Sequence, residues 1–182
     1  MSLTPNEAAD ALRDIESAGR RSGQAFGYRY SGRHFMLWGA VWMVGYAGND
    51  LLPRLAGPLW LAALVAGAVG SALLSRSGPK GTRKSAWQSV GLVAIIALFI
   101  TATYAVMWPV STAQQAAFVP LLAAAAYSAV GLWTGARWIV AGVALAVLTL
   151  GGFFLIHSHY SLYMAAVGGG GLILAGLWMR SA

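Results

Sequence analysis

Six apolar segments, each about as long as a membrane span, constrain this chain of 182 residues more than any other feature of its sequence. A helix needs about 20 residues to cross about 30 Å of hydrocarbon, where the backbone must satisfy its own hydrogen bonds. The sequence therefore predicts an all-α polytopic membrane protein with six transmembrane helices, and its 58% hydrophobic content agrees. The segments cover residues 34–52, 57–75, 86–108, 117–133, 138–156 and 161–179.

The basic residues lie almost entirely on one side of these segments. Eleven of the 12 Lys and Arg residues lie in the two termini or in the loops after the second and fourth segments, and only Arg54 lies elsewhere. The positive-inside rule then puts both termini in the cytoplasm, and six of the eight tryptophans lie at segment ends, as interfacial indoles do. We expect a multi-pass protein of the cell inner membrane. Its net charge of +7 is explained by basic cytoplasmic loops that face the headgroups of the lipid bilayer, so we expect no nucleic-acid partner.

A polar segment at residues 1–33 precedes the transmembrane domain at 34–182. Thr4 as N-cap, Pro5 after it and a glutamate three residues beyond the cap predict the start of a short cytoplasmic amphipathic helix. The acidic character and thin apolar stripe of this helix suit a protein partner at residues 4–18 better than an anionic membrane surface. A solvated stub is the alternative interpretation.

The first apolar segment has an aromatic face opposite a face of small residues. At about 3.6 residues per turn, Trp38, Trp42, Tyr46 and Asn49 share the aromatic face. Small residues favour helix packing, so the aromatic face is left to lipid, to ordinary packing or to a cavity that these four side chains line.

Asp50 is the only acidic residue after Glu16, and it lies near the outer end of the first segment. We expect it to stabilise the turn there, where Arg54 is close in sequence. The alternative is a metal site in which Asp50 joins His157 and His159 of the outer loop, because a His-x-His pair supplies two ligands when extended. Only the two histidines have a fixed spacing in the sequence, so the pattern does not identify a metal.

Four consecutive glycines, Gly168, Gly169, Gly170 and Gly171, lie inside the last segment. They weaken a helix by roughly 3 to 4 kcal/mol relative to alanine, so another interaction must offset that cost. We expect a continuous helix with neighbours close to the glycines on most sides, and a hinge or ligand-lining break is the alternative. Small residues also predict that the second, fourth and sixth helices form the packed interior.

No pattern in the sequence indicates a reaction. The chain has no cysteine, no nucleophile elbow, no phosphate-binding loop and no pair of intramembrane histidines for a haem. We expect neither enzymatic activity nor a cofactor. Few polar side chains lie at mid-depth, which favours an accessory or regulatory component that binds a partner protein. The alternative is a small transporter or channel for an ion or small molecule, working as a homo-oligomer because six short helices leave little room for a pathway.

Overall fold

The computed structural model of the protein describes residues 5–76, 83–156 and 158–181. All regular secondary structure in these residues is helical, which confirms the predicted all-α class. A short 3-10 turn at Pro53–Leu55 joins the first two helices. The helices are α1 (Pro5–Leu51), α2 (Ala56–Arg76), α3 (Arg83–Val106), α4 (Thr112–Thr134), α5 (Ala136–Leu155) and α6 (Tyr160–Arg180).

Four of these helices, α2, α4, α5 and α6, are long and apolar enough to cross a membrane, which supports a membrane protein. Within the described residues, α3 has a shorter apolar stretch at Val93–Val106. The apolar half of α1 is diluted by His34, Asn49 and Asp50. Six spans are expected from the sequence. Two of the corresponding helices, α1 and α3, do not reach the length or the hydropathy of a membrane span within the described residues.

Helix α1 is a single helix of 47 residues that joins the polar tail to the first apolar segment. It begins at Pro5, the position that the sequence predicts, and Thr4 lies outside the described residues. The sequence pattern predicts a short tail helix separate from the first span, whereas the structure joins the two in one helix. No proline lies between Pro5 and Pro53, so no residue in that stretch forces the helix to end.

Helix α4 begins at Thr112, about one turn before the predicted start of the fourth segment. Ser111 and Gln114 form a capping box at this end. The Ser111 Oγ accepts from the Gln114 backbone N–H at 3.2 Å, and the Gln114 Oε1 accepts from the Ser111 N–H at 2.9 Å. Two amides that the helix leaves unpaired are therefore satisfied, which extends the helix into the polar loop.

Helices α1 and α6 cross antiparallel at two pairs of glycines. A Cβ atom added at Gly39 would lie 2.6 Å from the carbonyl oxygen of Gly169, and one added at Gly176 would lie 2.6 Å from that of Gly32. Because these neighbours are backbone atoms, no side chain fits between the helices at either pair. The absence of side chains lets the two backbones pack directly.

The glycine run lies in one unbroken helix that contains a π-helical turn at Ala165–Gly169. A Cβ atom added at Gly169 would lie 2.8 Å from the backbone nitrogen of Met43, whereas nothing lies within 4 Å of one added at Gly170 or Gly171. The expectation that other helices of the same chain surround the glycines on most sides is therefore wrong. The reason is that α1 and α5 contact only part of the circumference of α6.

The interior is organised around α1. The expectation that α2 forms part of the packed interior is therefore wrong. The apolar part of α2 is 11% buried, compared with 28% for α4 and 39% for α6. Large aromatic side chains of α1 fill the centre instead, among them Phe35, Trp42 and Tyr46. The small residues of α2 contact α1 on one side and leave the rest of α2 exposed, a surface suited to lipid.

Candidate ligand-binding cavity

A cavity of about 760 Å³ lies between α1, α2, α3 and α4, near the end of α1 that carries Asp50. We call it the Asp50 cavity. Its wall includes all four residues of the aromatic face of α1, which are Trp38, Trp42, Tyr46 and Asn49. The other helices add Trp60, Tyr104 and Gln115. The structure thus brings the aromatic face together with rings from two further helices, so that aromatic side chains form much of the wall.

Hydrogen bonds hold two of the wall indoles in place. The Trp38 Nε1–H donates to the Ser71 Oγ at 3.2 Å, and the Trp60 Nε1–H donates to the Asn49 Oδ1 at 3.0 Å. Both bonds join α1 to α2, and the Trp60 ring packs over Gly45, where a Cβ atom would lie 2.6 Å from the indole. The cavity wall between α1 and α2 is therefore fixed at both rings.

Tyr46 is held by a carbonyl that α4 itself leaves unpaired. Pro120 lies inside α4 and has no N–H, so the carbonyl of Ala116, four residues earlier, has no donor in its own helix. The Tyr46 hydroxyl donates to that carbonyl at 2.9 Å in a buried position. The proline in α4 thereby sets the position of a ring on α1.

Trp42 packs against the glycine run. A Cβ atom added at Gly168 would lie 3.7 Å from the Trp42 Cε3, and the Trp42 and Tyr46 rings meet edge to face with centroids 6.1 Å apart. Trp42 is 7% exposed. The glycine run thus contacts the same aromatic wall that lines the cavity, although the glycines themselves do not line it.

Asp50 caps α6 from a different helix. Its Oδ2 accepts from the Leu162 backbone N–H at 3.0 Å, which satisfies one of the amides left open in the first turn of α6. The sequence predicts that Asp50 stabilises the turn at the end of α1, whereas in the structure it accepts from the first turn of α6. In the described part of the chain Asp50 forms no ion pair with Arg54. The His159 Nδ1 lies 3.9 Å from the same Oδ2.

The metal hypothesis stays a prediction. His159 and Asp50 are close together, but His157 lies outside the described residues. Among the residues that are described, no group of three or more His, Cys, Asp or Glu side chains is placed to hold a metal ion.

Two further cavities continue along α1 away from Asp50. One of about 350 Å³ is lined by residues that include His34 and Trp38, and the next, of about 440 Å³, is lined by residues that include Gln24. We call them the His34 cavity and the Gln24 cavity. Trp38 lines both the Asp50 and the His34 cavities, and Ser31 and Trp138 line both the His34 and the Gln24 cavities. The three cavities therefore form a row with shared walls.

The end of the row at Gln24 is held by contacts that the sequence does not reveal. The Gln24 Nε2 donates to the Thr134 carbonyl at 2.9 Å. The Arg137 guanidinium lies 5.5 Å from the centre of the Tyr28 ring and 5.1 Å from that of Trp178, and its Nη1 donates to the Trp178 carbonyl at 2.5 Å. One cation thus joins α1, α5 and α6.

The sequence places Trp38, Trp42, Tyr46 and Asn49 on one face of α1 but does not reveal the wall residues of the other helices. Helical periodicity groups the residues of one helix, whereas Trp60, Tyr104 and Gln115 reach the cavity only through helix packing. Comparison of the chain with protein-family models, with curated proteins and with solved structures finds no match.

Proposed function

We propose that this protein is a non-enzymatic transporter of the inner membrane that binds a small, largely apolar molecule in the Asp50 cavity. In this proposal α1 and α3 join the four apolar helices to make six spans, and both termini lie in the cytoplasm. The distribution of Lys and Arg supports that orientation.

The observation that carries the proposal is the row of three cavities along α1. At about 1.5 Å per residue, the stretch of α1 from Gly23 to Asp50 is about 40 Å long, compared with about 30 Å of hydrocarbon. Residues along that whole stretch line one cavity or another. A row of this length offers a small molecule contacts from one membrane surface to the other.

Trp38 separates the Asp50 cavity from the His34 cavity and is suited to act as the partition between them. Its indole lines the cavities on both sides, and its one hydrogen bond goes to the Ser71 hydroxyl. Displacing the ring costs that bond, which contributes about 1 kcal/mol, and part of its packing against the core. The proposal thus needs a side-chain motion at Trp38 and no break in a helix.

Binding to the Asp50 cavity is tested with triphenylphosphine oxide, a neutral molecule with three rings, by equilibrium dialysis in a neutral detergent with protein-free micelles as the blank. Gly57 lines the cavity and has open space beside it, so Gly57→Trp should place a bulky ring in the cavity and weaken saturable binding. Gly151 also has open space beside it but lies outside the cavity, so Gly151→Trp is the matched control and should bind as the unmodified protein does. Absence of saturable binding, or equal binding by both variants, would contradict the proposal.

A second candidate function is binding of a partner protein at residues 4–18. The exposure and the charge of the α1 tail support it. Leu12 and Ile15 are 59% and 69% exposed, and the tail through Glu16 contains four acidic residues and one arginine. These features suit a basic partner surface with an apolar centre. Deletion of residues 4–18 should abolish co-purification of such a partner and leave thermal unfolding of the remaining helices unchanged. Unchanged co-purification would favour the solvated-stub interpretation.

A further inference from the structure

We infer that the ligand of the Asp50 cavity is an organic cation with apolar substituents. This inference rests on the proposed function, because it names the ligand class of the same cavity. Among the described residues, the lining includes one carboxylate, that of Asp50, and no Lys, Arg or His. A cavity with a single negative charge and no basic side chain favours cations over anions.

The aromatic wall of the cavity also favours a cation. Trp38, Trp42 and Trp60 line the cavity together with Tyr46 and Tyr104. The face of an aromatic ring carries partial negative charge, and a cation near it gains about 0.5 to 2 kcal/mol, with tryptophan the best of the three ring types. Such rings also bury apolar substituents, so the same wall suits both parts of the ligand.

Four of these five rings already use their polar atoms in hydrogen bonds within the protein. The Trp38 and Trp60 nitrogens donate to Ser71 and Asn49, and the hydroxyls of Tyr46 and Tyr104 donate to the carbonyls of Ala116 and Gln115. These four side chains therefore offer a ligand their ring surfaces more than their hydrogen-bonding atoms.

Asp50 keeps one carboxylate oxygen for a ligand. Its Oδ2 accepts from the Leu162 N–H at 3.0 Å, and His159 approaches that same oxygen. In the described residues no hydrogen bond reaches the Oδ1. The first turn of a helix stabilises negative charge, so the contact with α6 holds the carboxylate in place and supports its charge.

The test compares two probes of nearly equal shape and opposite charge, tetraphenylphosphonium and tetraphenylborate, by equilibrium dialysis in neutral detergent. The unmodified protein should bind the cation about 10-fold or more tightly than the anion, because the carboxylate attracts one and repels the other. Asp50→Asn should weaken cation binding about 5-fold or more and leave binding of neutral triphenylphosphine oxide unchanged. The amide oxygen of the introduced asparagine can still accept from the Leu162 N–H, so α6 keeps its cap.

Asp14→Asn is the matched control, since it removes one negative charge from the tail of α1 and should leave cation binding unchanged. Unchanged cation binding in Asp50→Asn, with the neutral probe still bound, would overturn the cation inference and leave the proposed function standing. Loss of the neutral probe in Asp50→Asn would also overturn it, since Asp50 would then support the cavity itself. Binding of no probe by the unmodified protein would overturn both the inference and the proposed function.

Discussion

The Tyr46 hydroxyl on α1 donates at 2.9 Å to the Ala116 carbonyl on α4, the carbonyl that Pro120 leaves without a donor in its own helix. The bond is buried, and Tyr46 is 3% exposed. A proline that weakens one helix thus creates the acceptor that positions a side chain of another. The position of the Tyr46 ring in the cavity wall follows from this pairing.

Tyr46→Phe should lower the free energy of unfolding by about 1–3 kcal/mol, because it leaves the buried Ala116 carbonyl unpaired. Adding Pro120→Ala to that variant restores an N–H four residues after Ala116 and should recover part of the loss. Thermal unfolding of the two single variants and the double variant in detergent measures the coupling. Losses that simply add would contradict the proposed link between Pro120 and Tyr46.

Gly169 and Gly171 should respond differently to the same substitution. Gly169→Ala places a Cβ atom 2.8 Å from backbone atoms of α1, so it should destabilise the protein by about 1–3 kcal/mol. Gly171→Ala has open space and should be neutral or stabilising, since alanine favours a helix by about 1 kcal/mol. The midpoint of thermal unfolding in detergent distinguishes the two. Equal effects would show that α1 and α6 do not cross at Gly169.

Arg137 should stabilise the end of the bundle near Gln24 through its contacts with Tyr28 and Trp178. Arg137→Gln removes both cation–ring contacts and the hydrogen bond to the Trp178 carbonyl, and should cost about 1–3 kcal/mol. Arg54→Gln, an exposed charge change elsewhere, should change the unfolding free energy by less than about 0.5 kcal/mol. Equal effects in thermal unfolding would remove the special role of Arg137.

Cysteines introduced at exposed serines test the proposed orientation. Cysteines at Ser111 and Ser158 should react with an impermeant thiol reagent in intact cells, whereas one at Ser181 should react only after the membrane is opened. Because the protein has no cysteine of its own, each signal reports one position. The reverse pattern would overturn the orientation inferred from Lys and Arg.

Trp38→Ala should speed uptake of labelled tetraethylammonium, an organic cation that does not cross bilayers unaided, into proteoliposomes. The reason is that it removes the side chain shared by the Asp50 and His34 cavities. Ser71→Ala, which removes only the hydrogen bond to Trp38, should act in the same direction with a smaller effect. Trp108→Ala, at an exposed indole outside these cavities, is the control. No difference among the three variants would contradict the partition role of Trp38.

The sequence by itself determined the all-helical class and the approximate extent of most helices. Apolar segments must be helical in lipid because the backbone has no other hydrogen-bond partners there, so their length and spacing are enough. The sequence also grouped Trp38, Trp42, Tyr46 and Asn49 on one face, since helical periodicity is local. The unbroken course of the glycine run likewise agreed with expectation.

Only the tertiary structure decided which faces meet, because contacts between helices depend on how complete surfaces fit together. It placed Trp60 and Tyr104 opposite the aromatic face of α1, and it paired Asp50 with Leu162 more than 100 residues later. It also made α1, with its large rings, the centre of the bundle, although small residues had pointed to α2. Small residues permit close approach but do not choose the neighbour, and the pairing of whole helices makes that choice.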